Sequence, residues 1–144
     1  MPHKYAPKYV DGLLATDTYE DLATLSSMIC ASSRFKQDTC DYDLPPFAFL
    51  FVETLLWFAQ AIRSGAWTYY EATPSDRQDA MLAGLKELAP PEFSNWYQQG
   101  MRSWRDDAVP DLDNWMRANE EVANVWMRTL LRRNRDALFE LVST

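Results

Sequence analysis

The 144-residue sequence holds one histidine (His3), two cysteines (Cys30 and Cys40) and four glycines. Each scarcity excludes a class of chemistry. With a single histidine near the start, imidazole-based triads and histidine-containing metal sites lack a member. Neither cysteine has the close partner that a zinc site requires, and a cysteine nucleophile would lack its usual base. The glycines form no GxGxxG or Walker-type phosphate loop, and no DxDxDG calcium loop is present. The expectation is a non-enzymatic chain with no catalytic centre, no cofactor and no metal. The opening residues, MPHKYAPKYVDG, lack the apolar core of a secretory signal. Together with two cysteines, this suggests free thiols in the cytoplasm.

Hydrophobic residues make up 47% of the chain and aromatics 14%, enough to fill a core. Few glycines and long runs of Ala, Leu, Met, Glu, Gln and Arg favour helix over strand. The expected fold is an all-α single domain spanning residues 1–144, a bundle of about six to eight helices, with residues 1–16 as an N-terminal arm. That arm shows no sustained periodicity and reads as lying on the surface or packing through Tyr5 and Tyr9.

The most apolar stretch is LPPFAFLFVETLLWFAQAIRSGAWTYY, residues 44–70. Pro45 and Pro46 suit a first helical turn. From Phe47 to Ile62 apolar residues nearly encircle the helix, which marks the central helix of a domain. Roughly 17 residues at about 1.5 Å each would span about 25 Å. The length would also suit a membrane, but Glu53 in mid-span and the amphipathic helices around it favour a buried helix. Gly65 is placed to stop the helix in a left-handed conformation. Trp67, Tyr69 and Tyr70 then cap the core; the alternative is that they line a pocket.

Elsewhere, Asp17 and Glu20 have capping-box spacing before a helix with Leu22, Leu25, Met28 and Ile29 on one face, and Cys30 reads as a small core residue. Ser75 and Gln78 suggest a second capping box. Gly100 suggests a break in the helix that follows Pro91. Residues 105–113 read as a loop or a helix start. The last stretch, 115–142, reads as two or three helical pieces with Val122, Trp126 and Leu130 on the apolar side. Arg128, Arg132 and Arg135 form a stripe that reads as a solvated face paired with the protein's own acids.

The net charge is −7, and it is unevenly placed. Residues 38–113 hold 13 acidic and 5 basic residues, a net −8. Phosphate repels such a chain, so direct nucleic-acid binding is not expected.

The run Gln60-Ala61-Ile62-Arg63-Ser64-Gly65-Ala66-Trp67-Thr68-Tyr69-Tyr70 resembles the turn of the Neisseria-type bacterial DNA-mimic family, an acidic all-helical domain of unknown function. In that family a helix ends in Glu-x-x-Asn-Gly-Gly-Phe, followed by Gln-Tyr-Phe. Gly65 matches, Trp67 stands for the Phe and Tyr70 sits among the closing aromatics, while Ser64 and Ala66 replace Asn and Gly. The likeness extends loosely over residues 45–140, through an Ala/Leu-rich helix with an Ala-Pro break and a closing helix with a late Phe. It implies an all-helical protein that presents carboxylates where phosphates would lie, and so binds a basic DNA-binding protein. The candidate carboxylates are Asp38, Asp41 and Asp43 before the central helix, Glu71, Asp76 and Asp79 after it, and Asp106, Asp107, Asp111 and Asp113.

Two other readings stand beside an acidic interaction module. One is an immunity protein neutralising a basic toxin such as a nuclease. The other is a small-molecule pocket lined by Trp67, Tyr69, Tyr70, Trp96 and Tyr97. A monomer or a homodimer fits all three, and no membrane partner is expected.

Overall fold

The computed structural model describes residues 4–106 and 109–144. Among them are nine α-helices and no strand: α1 Pro7–Ala15, α2 Tyr19–Cys30, α3 Pro46–Ser64, α4 Ala66–Ala72, α5 Ser75–Leu88, α6 Pro91–Ser103, α7 Pro110–Ala118, α8 Glu120–Arg133 and α9 Arg135–Val142. The chain is an all-α bundle. It exceeds the expected six to eight helices because the N-terminal arm and the turn after Gly65 both fold as helices. In α1, Pro7 presets the first turn, and Val10 and Leu14, four residues apart, are buried while Tyr9 stays exposed. Tyr5 stacks on exposed Tyr9 and is itself half-buried against the core.

The axle is α3. Phe47, Phe49, Leu50, Phe51, Val52, Leu55, Trp57 and Phe58 are all buried, on both sides of the helix. Helices α2, α4, α5, α7 and α8 pack around it. Pro45 precedes its first turn and Pro46 begins it.

Gly65 ends α3 at φ 96° and ψ 145°. This is not the expected left-handed helical cap but an extended conformation of positive φ that essentially only glycine adopts. It lets α4 start at once, with the Asp113 carboxylate accepting from the Ala66 amide at 2.7 Å. Tyr69 and Tyr70 then enter the core, whereas Trp67 remains 45% exposed.

Two capping expectations shift by a residue or change role. At α2 the cap is Thr18, whose hydroxyl accepts from the Asp21 amide at 3.3 Å, in place of Asp17 with Glu20. At α5, Ser75 is already helical. Buried Gln78 turns back to donate to the carbonyls of Tyr70 (3.0 Å) and Thr73 (2.9 Å), closing the end of α4. Nor does Gly100 break α6. A Cβ there would lie 2.2 Å from the Tyr70 ring, so the glycine makes room for that ring against an unbroken helix. Residues Trp104–Asp106 form a short 3-10 turn, and α7 begins at Pro110.

Within the arginine stripe of α8 and α9, Arg132 and Arg135 are exposed and Arg135 pairs with the protein's own acids Asp11 and Asp136, as expected, whereas Arg128 is buried. Arg128 is 4% exposed and donates to the Thr18 carbonyl at 3.2 Å. Arg132 donates to the Leu14 carbonyl at 2.8 Å, and Arg135 forks onto both carboxylate oxygens of Asp11. The basic groups close the carbonyl ends of α1 and the α1–α2 junction, a role that a positive donor fills well. Val122, expected inside, is exposed.

Two substitutions test this packing. Gly65→Ala forces alanine into a glycine-only region and should lower unfolding stability by about 1–3 kcal/mol. Gly100→Ala gains about 1 kcal/mol of helix propensity but overpacks a buried ring, which costs about 1–3 kcal/mol. A net loss is expected in urea unfolding, and it should shrink in a Tyr70→Leu background. An undiminished loss there would show that Tyr70 is not the neighbour that matters.

Candidate functional site

The residues that shape an open cleft beside α3 come from α2, α3, the loop before α3 and the first turn of α5. Val52, Leu55, Leu56 and Ala59 form its α3 wall, Ser26 and Cys30 its α2 wall, and Phe35, Gln37, Tyr42 and Arg77 close the far side. Its volume is about 440 Å³.

A buried polar network fixes this wall. Glu53 is 0% exposed in the middle of α3. The Tyr42 hydroxyl donates to its Oε1 at 2.6 Å and the Tyr69 hydroxyl to its Oε2 at 2.5 Å. Tyr69 and Tyr97 share a hydroxyl–hydroxyl bond of 2.8 Å, and Tyr70 donates to the Tyr97 carbonyl at 3.0 Å. Burial pushes the Glu53 carboxyl above the ordinary 4.5, against the pull of the two phenols and of Arg77. Burial likewise holds Tyr69, Tyr70 and Tyr97 protonated. A protonated Glu53 donates back to one phenol, whose own proton then turns to its next neighbour, as Tyr69 can toward Tyr97.

Tyr42 carries the network to the surface. It and Asp43 both sit at φ 57°, left-handed backbone that costs a non-glycine residue about 1–2 kcal/mol. A hydrogen bond to a neutral carboxyl is worth about 0.5–1.5 kcal/mol, which offsets part of that cost. The Tyr42 ring also stacks on Phe35 at 4.9 Å and lies under the Arg77 guanidinium at 4.2 Å. Arg77 in turn donates to the carbonyls of Gln37 (2.7 Å), Thr39 (2.8 Å) and Cys40 (3.2 Å), which pins the loop to α5.

That pinning joins the loop that carries Asp38, Asp41 and Asp43 to the first turn of α5, which carries Asp76; Asp79 follows two residues after Arg77 on the same helix. Asp38, Asp43, Asp76 and Asp79 are exposed, while Asp41 is half-buried and accepts from the Asp43 amide at 3.0 Å. Asp76 accepts from the Arg77 amide at 2.9 Å. The remaining candidates lie elsewhere. Exposed Glu71 borders a shallow depression of about 350 Å³ with Trp67, Trp104 and Arg105, and Asp106 and Asp111 are exposed nearby in sequence. Asp107 lies outside the described residues. Asp113 is half-buried and anchors α4, so it is a structural carboxylate. Among the described residues, the ion pairs within 4 Å are those of Arg135 with Asp11 and Asp136, and none involves a candidate acid.

The five aromatics do not line one common pocket: Trp67 borders the depression beside Glu71, and Tyr70 lies at a separate one with Gln78 and Met101. Tyr69, Tyr70 and Tyr97 are buried and pack on one another at 5.2–5.9 Å, and Trp96 stacks on Trp115 at 5.7 Å. In the family-like turn, Ser64 is exposed, Gly65 supplies the special backbone, Ala66 is buried, Trp67 faces outward and Tyr70 is core.

Cys30, expected inside, is exposed at the cleft, because the buried face of α2 ends on Met28 and Ile29. Enough protein still surrounds its sulfur for burial to push the thiol up, which is the opposite of an activated nucleophile. Among the described residues no group of three or more His, Cys, Asp or Glu is placed to hold a metal. Neither a family model, a curated protein nor a solved structure matches the chain significantly, so the likeness of residues 60–70 to the DNA-mimic turn rests on those residues alone.

The raised carboxyl has a pH signature. The folded state holds the Glu53 proton more tightly than the unfolded chain does, so this contribution to stability is full below about 4.5 and falls as pH rises through the raised folded value. Glu53→Gln keeps an acceptor for one phenol and a donor toward the other without a charge to bury. Urea unfolding from pH 4 to 8 should show the variant gaining on the wild type as pH rises. A constant difference between them would mean that Glu53 is not a buried neutral acid.

Proposed function

We propose that the protein is a non-enzymatic interaction module that binds a basic partner protein, a DNA-binding protein whose phosphate-binding groove accepts the exposed carboxylates. One observation carries the reading. Asp38, Asp43, Asp76 and Asp79 stand in solvent on a loop and helix locked together by Arg77, with no Lys or Arg pairing them among the described residues. Ordinary surface acids sit on mobile side chains amid counter-charges. Here the backbone segments that carry the acids are tied together, and a groove built for phosphate gains from neighbouring anions whatever carries them. The Debye length is about 8 Å at physiological ionic strength, so attraction across such a contact weakens sharply with added salt.

Partners captured from the native cell lysate on the immobilised protein should elute early in a salt gradient and be displaced by double-stranded DNA. Reversal of Asp38, Asp43, Asp76 and Asp79 to lysine should weaken capture by roughly two- to fivefold per site, with the fold unchanged by circular dichroism. A complex that survives high salt and all four reversals would overturn the reading. A partner that DNA does not displace would remove the phosphate-mimic part alone.

A further inference from the structure

We propose that residues 33–43 form a pH-sensitive flap over Glu53, which opens as the carboxyl loses its proton. Two of the phenols that close over Glu53, Tyr69 and Tyr97, belong to α4 and α6 and lie inside the bundle. The third, Tyr42, belongs to a segment of turns and bends between α2 and α3. Both ends of that segment are anchored: Ser32 is buried and shares a bond of 3.0 Å with the Thr144 hydroxyl, and Leu44 is buried. Between them, Ser33, Arg34 and Lys36 to Thr39 are exposed, and Phe35 stacks on Tyr42, so the two rings lift together. Lifting also relaxes the left-handed backbone of Tyr42 and Asp43. Tyr42 and Val52, the neighbour of Glu53 on α3, both line the open cleft. Displacing the Tyr42 ring therefore joins the cleft to the carboxyl and lets water reach it.

The surrounding charges leave ionised Glu53 poorly compensated. Arg77 of α5 is the cation that acts on it, and its guanidinium is spent on the Tyr42 ring and the loop carbonyls. Cys30 of α2 acts on Tyr42, and Asp79 of α5 acts on Tyr97. Asp21 of α2 accepts from the Thr16 hydroxyl, Asp113 of α7 from the Ala66 amide, and Arg128 of α8 donates to the Thr18 carbonyl. The other charged side chains of α4, α5, α6, α7 and α8 are exposed, as are those of the flap apart from half-buried Asp41. No Lys or Arg forms an ion pair with Glu53 among the described residues, so water is what stabilises its charge. With the flap closed, burial holds the proton above the ordinary 4.5; with it open, the hydrated carboxyl returns to about that value. Opening thus releases a proton to solvent, and rising pH favours the open form. The gain is at most about tenfold per pH unit and levels off above the closed-state value. Against it stand the Tyr42–Glu53 bond and the three Arg77 bonds to loop carbonyls, of which those to Gln37 and Thr39 lie at exposed positions where water replaces them. Asp38, Asp41 and Asp43 ride on the flap, but its motion does not require that they have a partner.

Amide hydrogen exchange of the whole protein, followed by NMR, tests the flap. The reporters are the Lys36 amide, which donates to the Tyr42 carbonyl at 2.8 Å, and the Tyr42 amide, which donates to the Thr39 carbonyl at 3.2 Å. Their protection factors, which remove the intrinsic pH dependence of exchange, should be constant below about 4.5 and fall above it by up to about tenfold per pH unit. They should level off where the carbon-13 shift of the Glu53 carboxyl titrates. Low urea should leave the fall unchanged, the mark of local opening as against unfolding of the bundle. In Glu53→Gln the protection should not vary with pH. Tyr42→Phe keeps the ring beneath Arg77 but removes the bond to Glu53, and should lower Lys36 protection at about pH 4 by roughly two- to tenfold. Protection independent of pH in the wild type, an equal fall in Glu53→Gln, or a fall seen only through urea-sensitive unfolding would overturn the flap. So would unchanged protection in Tyr42→Phe, a comparison that holds even where Glu53→Gln does not fold.

Discussion

A carboxyl group in the middle of an apolar helix constrains the whole bundle. An uncompensated buried charge costs several kcal/mol, so Glu53 must be neutral, hydrogen-bonded or both. Its two oxygens take phenols from opposite directions, Tyr42 from the loop before α3 and Tyr69 from α4. Tyr69 recruits Tyr97 of α6, and Gly100 on the same helix clears the space for Tyr70. Three segments outside α3 are thus referenced to one side chain, and a half-satisfied network would be worse than none.

The surface features follow from this. The bond from the Tyr42 hydroxyl to Glu53 offsets part of the cost of the left-handed backbone at Tyr42. Arg77 then lies on the ring and binds the loop carbonyls, which sets the positions of Asp38, Asp41 and Asp43 and closes one side of the cleft. The acidic loop surface is in this sense an outward projection of the core.

The all-helical class, the buried axle and most helix boundaries were legible because they depend on local periodicity and on prolines at first turns. What escaped depends on contacts between segments. Glu53 registered only as an obstacle to membrane insertion, although a lone acid among apolar residues and tyrosines was the available signal. Arg128 and Arg132 sat at the spacing of a surface stripe, and nothing local announces that an arginine will close the end of another helix. Gly100 looked like a helix breaker because the ring that needs its space lies thirty residues upstream. At the candidate surface, Asp38 and Asp76 were found from charge alone, but the sequence does not show that Arg77 joins them or that Asp113 is committed to α4.

The arginine clasp at the ends of the described chain orders events during synthesis. Arg135 grips Asp11 across 124 positions, and Arg128 and Arg132 reach back over 110 and 118 positions to the carbonyls of Thr18 and Leu14. At about 5–20 residues per second, α1 would emerge from the ribosome some 6–25 s before the side chains that hold it. Over that interval α1 would have α2 to pack on but not the arginines of α8 and α9 that close its end.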